Sequence, residues 1–308
     1  MHDMKRIILH IGTEKTGTTS IQQFLDINAS KLASQGLYIP EFLGKINHRK
    51  LPAMVCDTDF IDDFFKQRML TEKTKRVEAK ALWREEFLNK SRASGLPTWI
   101  VSSEHLQSRL RTPREIGELK KLIDESFASA AVILYIRNPI DTAISLWSTA
   151  LKSGGTHDSL PLPSTDYWNH VCHHKRTIQA WQKIFGNTIK VRVFSESSLC
   201  GGDVIIDFCD VCGIIVEQDF LFPPRENQSL SLTGMNLLRS LNKKIPPFVE
   251  NLPNPRRVAL VKEIEERFSK PPKYRPTAAE SLAYKEHFAE SDEWVRINYF
   301  PEKTSLYS

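Results

Sequence analysis

The sequence predicts an α/β fold in three layers, with a central parallel sheet flanked by helices. Two observations predict it. Short runs rich in Val, Ile and Leu, bounded by polar or turn residues, recur at Arg6–Ile11, Thr98–Ser102, Val132–Arg137 and Ile189–Phe194, as buried strands do. Helical spacings lie between them: Ile21, Phe24, Leu25 and Leu32 after the first run, and Ile140, Ala143, Ile144, Trp147 and Leu151 after the third. Strands that alternate with helices build a parallel sheet covered on both faces. The chain has 308 residues, 41% of them hydrophobic, which suffices for one large core. The expected organisation is a single domain over 1–308, with a helical insertion at 41–97 and a helical C-terminal part from residue 225.

The first run leads directly into Gly12-Thr13-Glu14-Lys15-Thr16-Gly17-Thr18-Thr19-Ser20, and an amphipathic helix follows. A strand, a Gly- and Thr-rich loop and a helix start make an anion site. Backbone N–H groups and the positive end of the helix dipole face one point there. Gly12 and Gly17 permit tight turning, Lys15 adds a charge, and Thr18, Thr19 and Ser20 add donors. A Walker A loop has the same glycine separation but places its lysine directly after the second glycine. Thr18 stands there instead, and the lysine sits inside the loop at Lys15. The loop is therefore P-loop-like, without the features of Mg-dependent ATP hydrolysis.

Residues 41–97 are highly charged and contain the pair Phe64–Phe65, which predicts mostly helix. The second run ends in Ser102-Ser103-Glu104-His105. Glu104 lies just past the carboxyl end of that strand, and in open parallel sheets ligands bind along that edge. Glu104 is the candidate base, with His105 the alternative and His48 a weaker one. A carboxylate at a helix start also has a plain structural role. The third run ends at Arg137. Asn138 suits a helix N-cap and Pro139 the first helical position. Arg137, Asp141 and Ser145 then recur every four residues along one stripe, where a guanidinium and a hydroxyl suit a phosphate monoester.

These two motifs resemble those of sulfotransferases that use 3′-phosphoadenosine-5′-phosphosulfate (PAPS). Gly12 to Thr19 matches their Gly-x-x-Lys-Thr/Ser-Gly-Thr-Thr loop, and Arg137, Pro139 and Ser145 match their Arg-x-Pro-x-x-x-x-x-Ser segment. The resemblance implies PAPS as donor and 3′-phosphoadenosine-5′-phosphate (PAP) as product. It implies that the loop from Gly12 to Ser20 holds the 5′-phosphosulfate, with Lys15 acting in catalysis, and that Arg137 and Ser145 hold the 3′-phosphate. It also implies a catalytic Glu after the strand between the motifs, here Glu104, as in the carbohydrate branch. A glycan or small-molecule acceptor is thus expected, and no metal is required. The Arg-Lys-Gly triplet of many cytosolic members is absent, and the segment near Asn227 is the candidate for closing over the donor. Trp181–Gly186 with the following strand, and the terminal helix expected at Ala278–Ile297, are also similar to members of that superfamily.

Composition narrows the alternatives. The net charge of +5 and the lack of a long Lys/Arg run exclude the profile of a nucleic-acid binder. Five cysteines at irregular spacing argue against a disulfide framework and point to a reducing compartment, so a cytoplasmic protein is expected. No run approaches the ~20 apolar residues of a membrane span. Cys209 and Cys212 are expected to be buried thiols, and Cys172-His173-His174 a solvated stretch. The competing assignments are a P-loop-like nucleotide kinase or hydrolase, and a non-catalytic nucleotide-binding protein.

Overall fold

The structure, a computed structural model, describes residues 5–224, 230–250 and 252–307. They fall into two compact units, one made of residues 5–137, 173–224 and 291–307, the other of 138–172, 230–250 and 252–290.

The first unit carries a five-stranded sheet built from β1 (Arg6–His10), β2 (Leu37–Tyr38), β3 (Thr98–Ser102), β4 (Ser129–Ile136) and β5 (Ile189–Val193), in the order β2-β3-β1-β4-β5. Every pairing is parallel, and Ile8 of β1 stands opposite both Ile100 and Ala131. The expected α/β architecture is thus present. Alternation in β1 explains its unbroken apolar run. Ile7 and Leu9 enter one core cluster with Trp99, Val101 and Leu134, while Ile8 enters another with Phe24, Ile100 and Tyr135. A strand buried on both faces has no place for a solvated residue, and the buried His10 packs its ring against Tyr135 and Phe208.

The Ile8 face is covered by α1 (Thr18–Ile27), α2 (Ala29–Ser34) and α11 (Val204–Cys212). The Ile7 face is covered by α5 (Lys73–Ala93), α7 (Pro113–Asp124) and α10 (His174–Phe185), which bring in Phe87, Leu119 and Trp181. Local sequence sets these helix starts. Thr112 accepts from the Glu115 N–H while Glu115 accepts from the Thr112 N–H, a capping box with Pro113 in the first turn. Asp203 caps α11 through the Ile205 N–H at 2.8 Å. Residues 41–97 contain α3 (Lys50–Val55), α4 (Asp63–Gln67) and α5. The short helix α6 (His105–Arg109) follows β3.

The second unit is built on α8 (Pro139–Lys152), α9 (Asp166–Cys172), α12 (Leu232–Asn242), α13 (Pro255–Arg267) and the first part of α14 (Ala278–Tyr299). Its core holds Leu146, Trp147, Leu151, Trp168, Leu238 and Phe288. Asn138 caps α8 by accepting from the Ile140 N–H. At the other end, the buried Arg257 guanidinium donates to the carbonyls of Leu151 and Lys152 at 3.3 and 2.7 Å, satisfying the helix's last acceptors.

Some elements differ from expectation. β2 has two residues, too few to show a period. β4 begins three residues earlier than its apolar run because Ser129, Ala130 and Ala131 are small. The terminal helix continues to Tyr299. Among the described residues no helix is long and apolar enough to cross a membrane.

Candidate active site

The Gly12–Ser20 loop continues the sheet before it leaves it. Tyr135 of β4 donates its N–H to the Gly12 carbonyl at 2.7 Å, and its own carbonyl accepts from the Thr13 N–H at 2.8 Å. Two loop hydroxyls act internally: Thr13 Oγ1 donates to the Tyr135 carbonyl and Thr16 Oγ1 to the Thr13 carbonyl at 2.6 Å. Both residues are fully buried, Thr18 is nearly so, and Thr19 is exposed. Gly12 and Gly17 have φ of 102° and 75°, and Lys15 adopts the left-handed region at 67° without being glycine. That conformation costs an L-residue ~1–2 kcal/mol. Gly17 is the N-cap of α1 and no side-chain hydrogen bond caps the helix there; the first-turn N–H groups of a helix are potential anion donors.

Both glycines are demanded by close neighbours. A Cβ on Gly12 would lie 3.0 Å from the Cα and Cβ of Glu104, and one on Gly17 would lie 2.8 Å from Val204 Cγ1. The first contact brings the end of β3 against the loop. The second seats the start of α11 under the start of α1. Asp207 of α11 locks this arrangement by accepting from the Tyr135 hydroxyl at 2.6 Å and pairing with Arg192 of β5.

Arg137 follows β4 directly. Its Nη1 donates to the Lys15 carbonyl at 3.1 Å, and its guanidinium lies over the Phe194 ring, 5.7 Å from the centroid. Its own carbonyl accepts from His174 Nε2 at 2.9 Å. His174 is therefore buried, not solvated as its polar neighbours suggested, and burial lowers its pKa to about 4. Ser145 lies on α8 in the second unit, half-buried, and its carbonyl accepts from Thr149 Oγ1 at 3.1 Å.

Glu104 sits at the N-terminus of α6 with its side chain 17% exposed. Two amides converge on one of its oxygens: Gln22 Nε2 and Asn47 Nδ2 each donate to Oε2 at 2.9 Å. The other oxygen, Oε1, lies 3.9 Å from His105 Nε2. Burial raises the Glu104 pKa above the ordinary 4.5, and the charge of Glu14 adds to the rise. The Gln22 hydrogen bond and the charge of Lys15 oppose it. His105 is held well below its ordinary 6.5, first by burial and then by Arg49 and Arg109. Its imidazole is neutral at physiological pH, and Nδ1 has no partner among the described residues. Around it, Arg49 and Arg109 share Asp62 Oδ2 at 2.5 and 3.3 Å, and Arg109 also lies 3.7 Å from Glu14 Oε1. A small cleft opens here, lined by His105, Arg49, Asp62, Arg109, Phe60 and Phe64.

The first unit therefore gathers Lys15, Glu104, His105 and Arg137 at the carboxyl edge of β1, β3 and β4, where the strand order switches direction around β1. Gln22, Asn47 and Phe194 escaped the sequence argument. Gln22 carried a signal, being a polar residue on the apolar face between Ile21 and Leu25; Asn47 lies in an aperiodic loop and carried none. His48, the weaker candidate, is buried, and its Nδ1 accepts from the Ser102 N–H at 2.9 Å. Phe64, Phe65 and Phe87 belong to the core. Cys209 and Cys212 are buried on α11, and burial pushes the Cys209 thiol up to about 12. Asn227 lies outside the described residues.

No family model and no curated protein matches the chain. Among solved structures, the chain is similar to a sulfotransferase from Alicyclobacillus acidocaldarius at 17% identity and a TM-score of 0.46, over 83% of this chain and 95% of that one.

Proposed function

We propose that this protein is a sulfotransferase that moves the sulfuryl group of PAPS to a hydroxyl or amine, with a carbohydrate as the acceptor class. The observation that carries the proposal is the close packing of Glu104 on the phosphate-type loop at Gly12, beside Lys15 and Arg137. A carboxylate, a cation and a helix start thus share one edge of the sheet.

In the proposed reaction the acceptor oxygen or nitrogen attacks sulfur in line. A new bond to sulfur forms as the bond from sulfur to the 5′-phosphate oxygen breaks. Glu104 takes the acceptor's proton, and PAP leaves with the bonding electrons. Lys15 and the first-turn N–H groups of α1 stabilise charge on the transferring oxygens and the departing phosphate. Arg137 holds the 3′-phosphate, which fixes the angle of attack. His105 stays neutral beside Glu104, its Nε2 3.9 Å from Oε1, and adds no positive charge there.

A transfer assay with radiolabelled PAPS and a panel of sugars, phenols and amines tests this. Wild-type protein should label at least one acceptor, Glu104→Gln should lose ~10²–10⁴-fold in rate, and His105→Asn should lose less. A Glu104→Gln variant as active as wild type would remove the base from the scheme. Transfer to phenols or amines but not to sugars would overturn the carbohydrate assignment alone.

A further inference from the structure

The segment ahead of α3 is fastened to β3 by more bonds than a connecting loop requires. The His48 N–H donates to the Ser102 carbonyl at 3.2 Å, and the Ser102 N–H donates back to His48 Nδ1 at 2.9 Å. The Ser102 hydroxyl in turn meets His10 Nδ1 at 2.8 Å, so the attachment reaches the central strand. This pair of hydrogen bonds between His48 and Ser102 brings the preceding side chain, Asn47, to Ser103 and Glu104.

Asn47 has one orientation there. Its Oδ1 accepts from Ser103 Oγ at 2.7 Å, which turns its Nδ2 toward Glu104 Oε2 at 2.9 Å. Gln22 Nε2 reaches the same oxygen from α1 at the same distance. Two donors on one oxygen, supplied by separate elements, hold the carboxylate in one rotamer. The remaining oxygen, Oε1, lies 3.9 Å from His105 Nε2.

We infer that Asn47, oriented by Ser103, is a positioning residue that holds Glu104 Oε2 and so presents Oε1 as the atom that takes the acceptor's proton. The role of Oε1 rests on the proposed sulfotransferase function; the hold on Oε2 does not. An N–H donated to a carboxylate stabilises the ionised form, so removing it raises the carboxyl pKa. The charged groups that act on Glu104 are Glu14 and Lys15 from the loop, with Arg49, Asp62 and Arg109 grouped around His105. None is altered by the test.

The test is a titration of the Glu104 carboxyl by NMR on protein carrying ¹³C-carboxyl glutamate, with Glu104→Gln identifying the resonance, together with pH profiles of kcat/KM. In Asn47→Ala and Ser103→Ala the midpoint should rise by about one pH unit. The acid limb of kcat/KM should move by the same interval, a loss of about tenfold at a fixed acidic pH, with recovery toward the wild-type rate above the limb. Ser103→Thr keeps the hydroxyl and should keep the wild-type midpoint. A folded Asn47→Ala whose Glu104 titrates as in wild type overturns the inference, as does a loss of rate that is equal at all pH. Should Asn47→Ala fail to fold, the Ser103→Ala midpoint decides in the same way. A raised midpoint in a protein whose Glu104→Gln variant transfers sulfuryl at the wild-type rate upholds the hold on Oε2 and overturns the role of Oε1.

Discussion

Gly12 and Glu104 are packed so closely that a single added carbon on Gly12 would sit 3.0 Å from two atoms of Glu104. These residues are far apart in the chain, on the ends of β1 and β3, yet the parallel pairing of His10 with Ser102 makes them neighbours. The distance between Glu104 and the glycine-rich loop is therefore a property of the sheet register.

Gly12→Ala should consequently damage both stability and catalysis. It places a Cβ at φ 102° and forces Glu104 outward. The expected loss is ~1–3 kcal/mol, read by denaturant unfolding, with a larger fall in kcat than in substrate affinity. Wild-type stability in this variant would contradict the packing described.

Lys15 should show opposed effects on stability and activity. Its left-handed backbone is strained and glycine adopts that conformation freely. Lys15→Gly should be no less stable than Lys15→Ala, by ~1 kcal/mol in its favour, while both lose at least ~10² in kcat. Equal stabilities would show that the loop relaxes when the side chain is removed.

The fold class was readable because strands buried on both faces leave unbroken apolar runs, as Ile7 to Leu9 and Val132 to Ile136 do. The placement of the loop and of Arg137 was readable because each directly follows such a run. The setting of Glu104 was not. Asn47 and Gln22 act across the fold through single hydrogen bonds, and a hydrogen bond between distant residues leaves no period in a sequence. His48 and His174 misled for a related reason: their neighbours in the chain are polar, but each ring is buried by an element distant in sequence.

Three of these buried rings make stability depend on pH. Burial lowers His10 and His48 to about 3 and His174 to about 4, from an ordinary 6.5. The unfolded chain therefore takes up protons below pH 6.5 that the folded chain refuses. Stability is fully present above pH 6.5 and is lost as pH falls from there toward 4, by about 1.4 kcal/mol per pH unit for each ring. His48→Asn keeps an acceptor for the Ser102 N–H without the titration, so its stability should fall less steeply over that window. An equal slope would show that His48 is not held neutral.

In the second unit, Arg257 ends α8 by donating to the Leu151 and Lys152 carbonyls. Arg257→Met should cost ~1–3 kcal/mol, because the Lys152 carbonyl loses this donor, while the Leu151 carbonyl keeps the Gly154 N–H and Asn242 Nδ2. Hydrogen exchange should quicken at the last turn of α8 before it quickens elsewhere. Unchanged exchange there would show that the cap is dispensable.

The most direct test of the central claim is calorimetric binding of PAP, compared with ATP and AMP, without magnesium, for wild type and Arg137→Ala. PAP should bind tightly through its 3′-phosphate, and Arg137→Ala should lose that binding. Equal binding of AMP and PAP, or binding of ATP in preference to both, would contradict it and assign the loop to a nucleotide kinase.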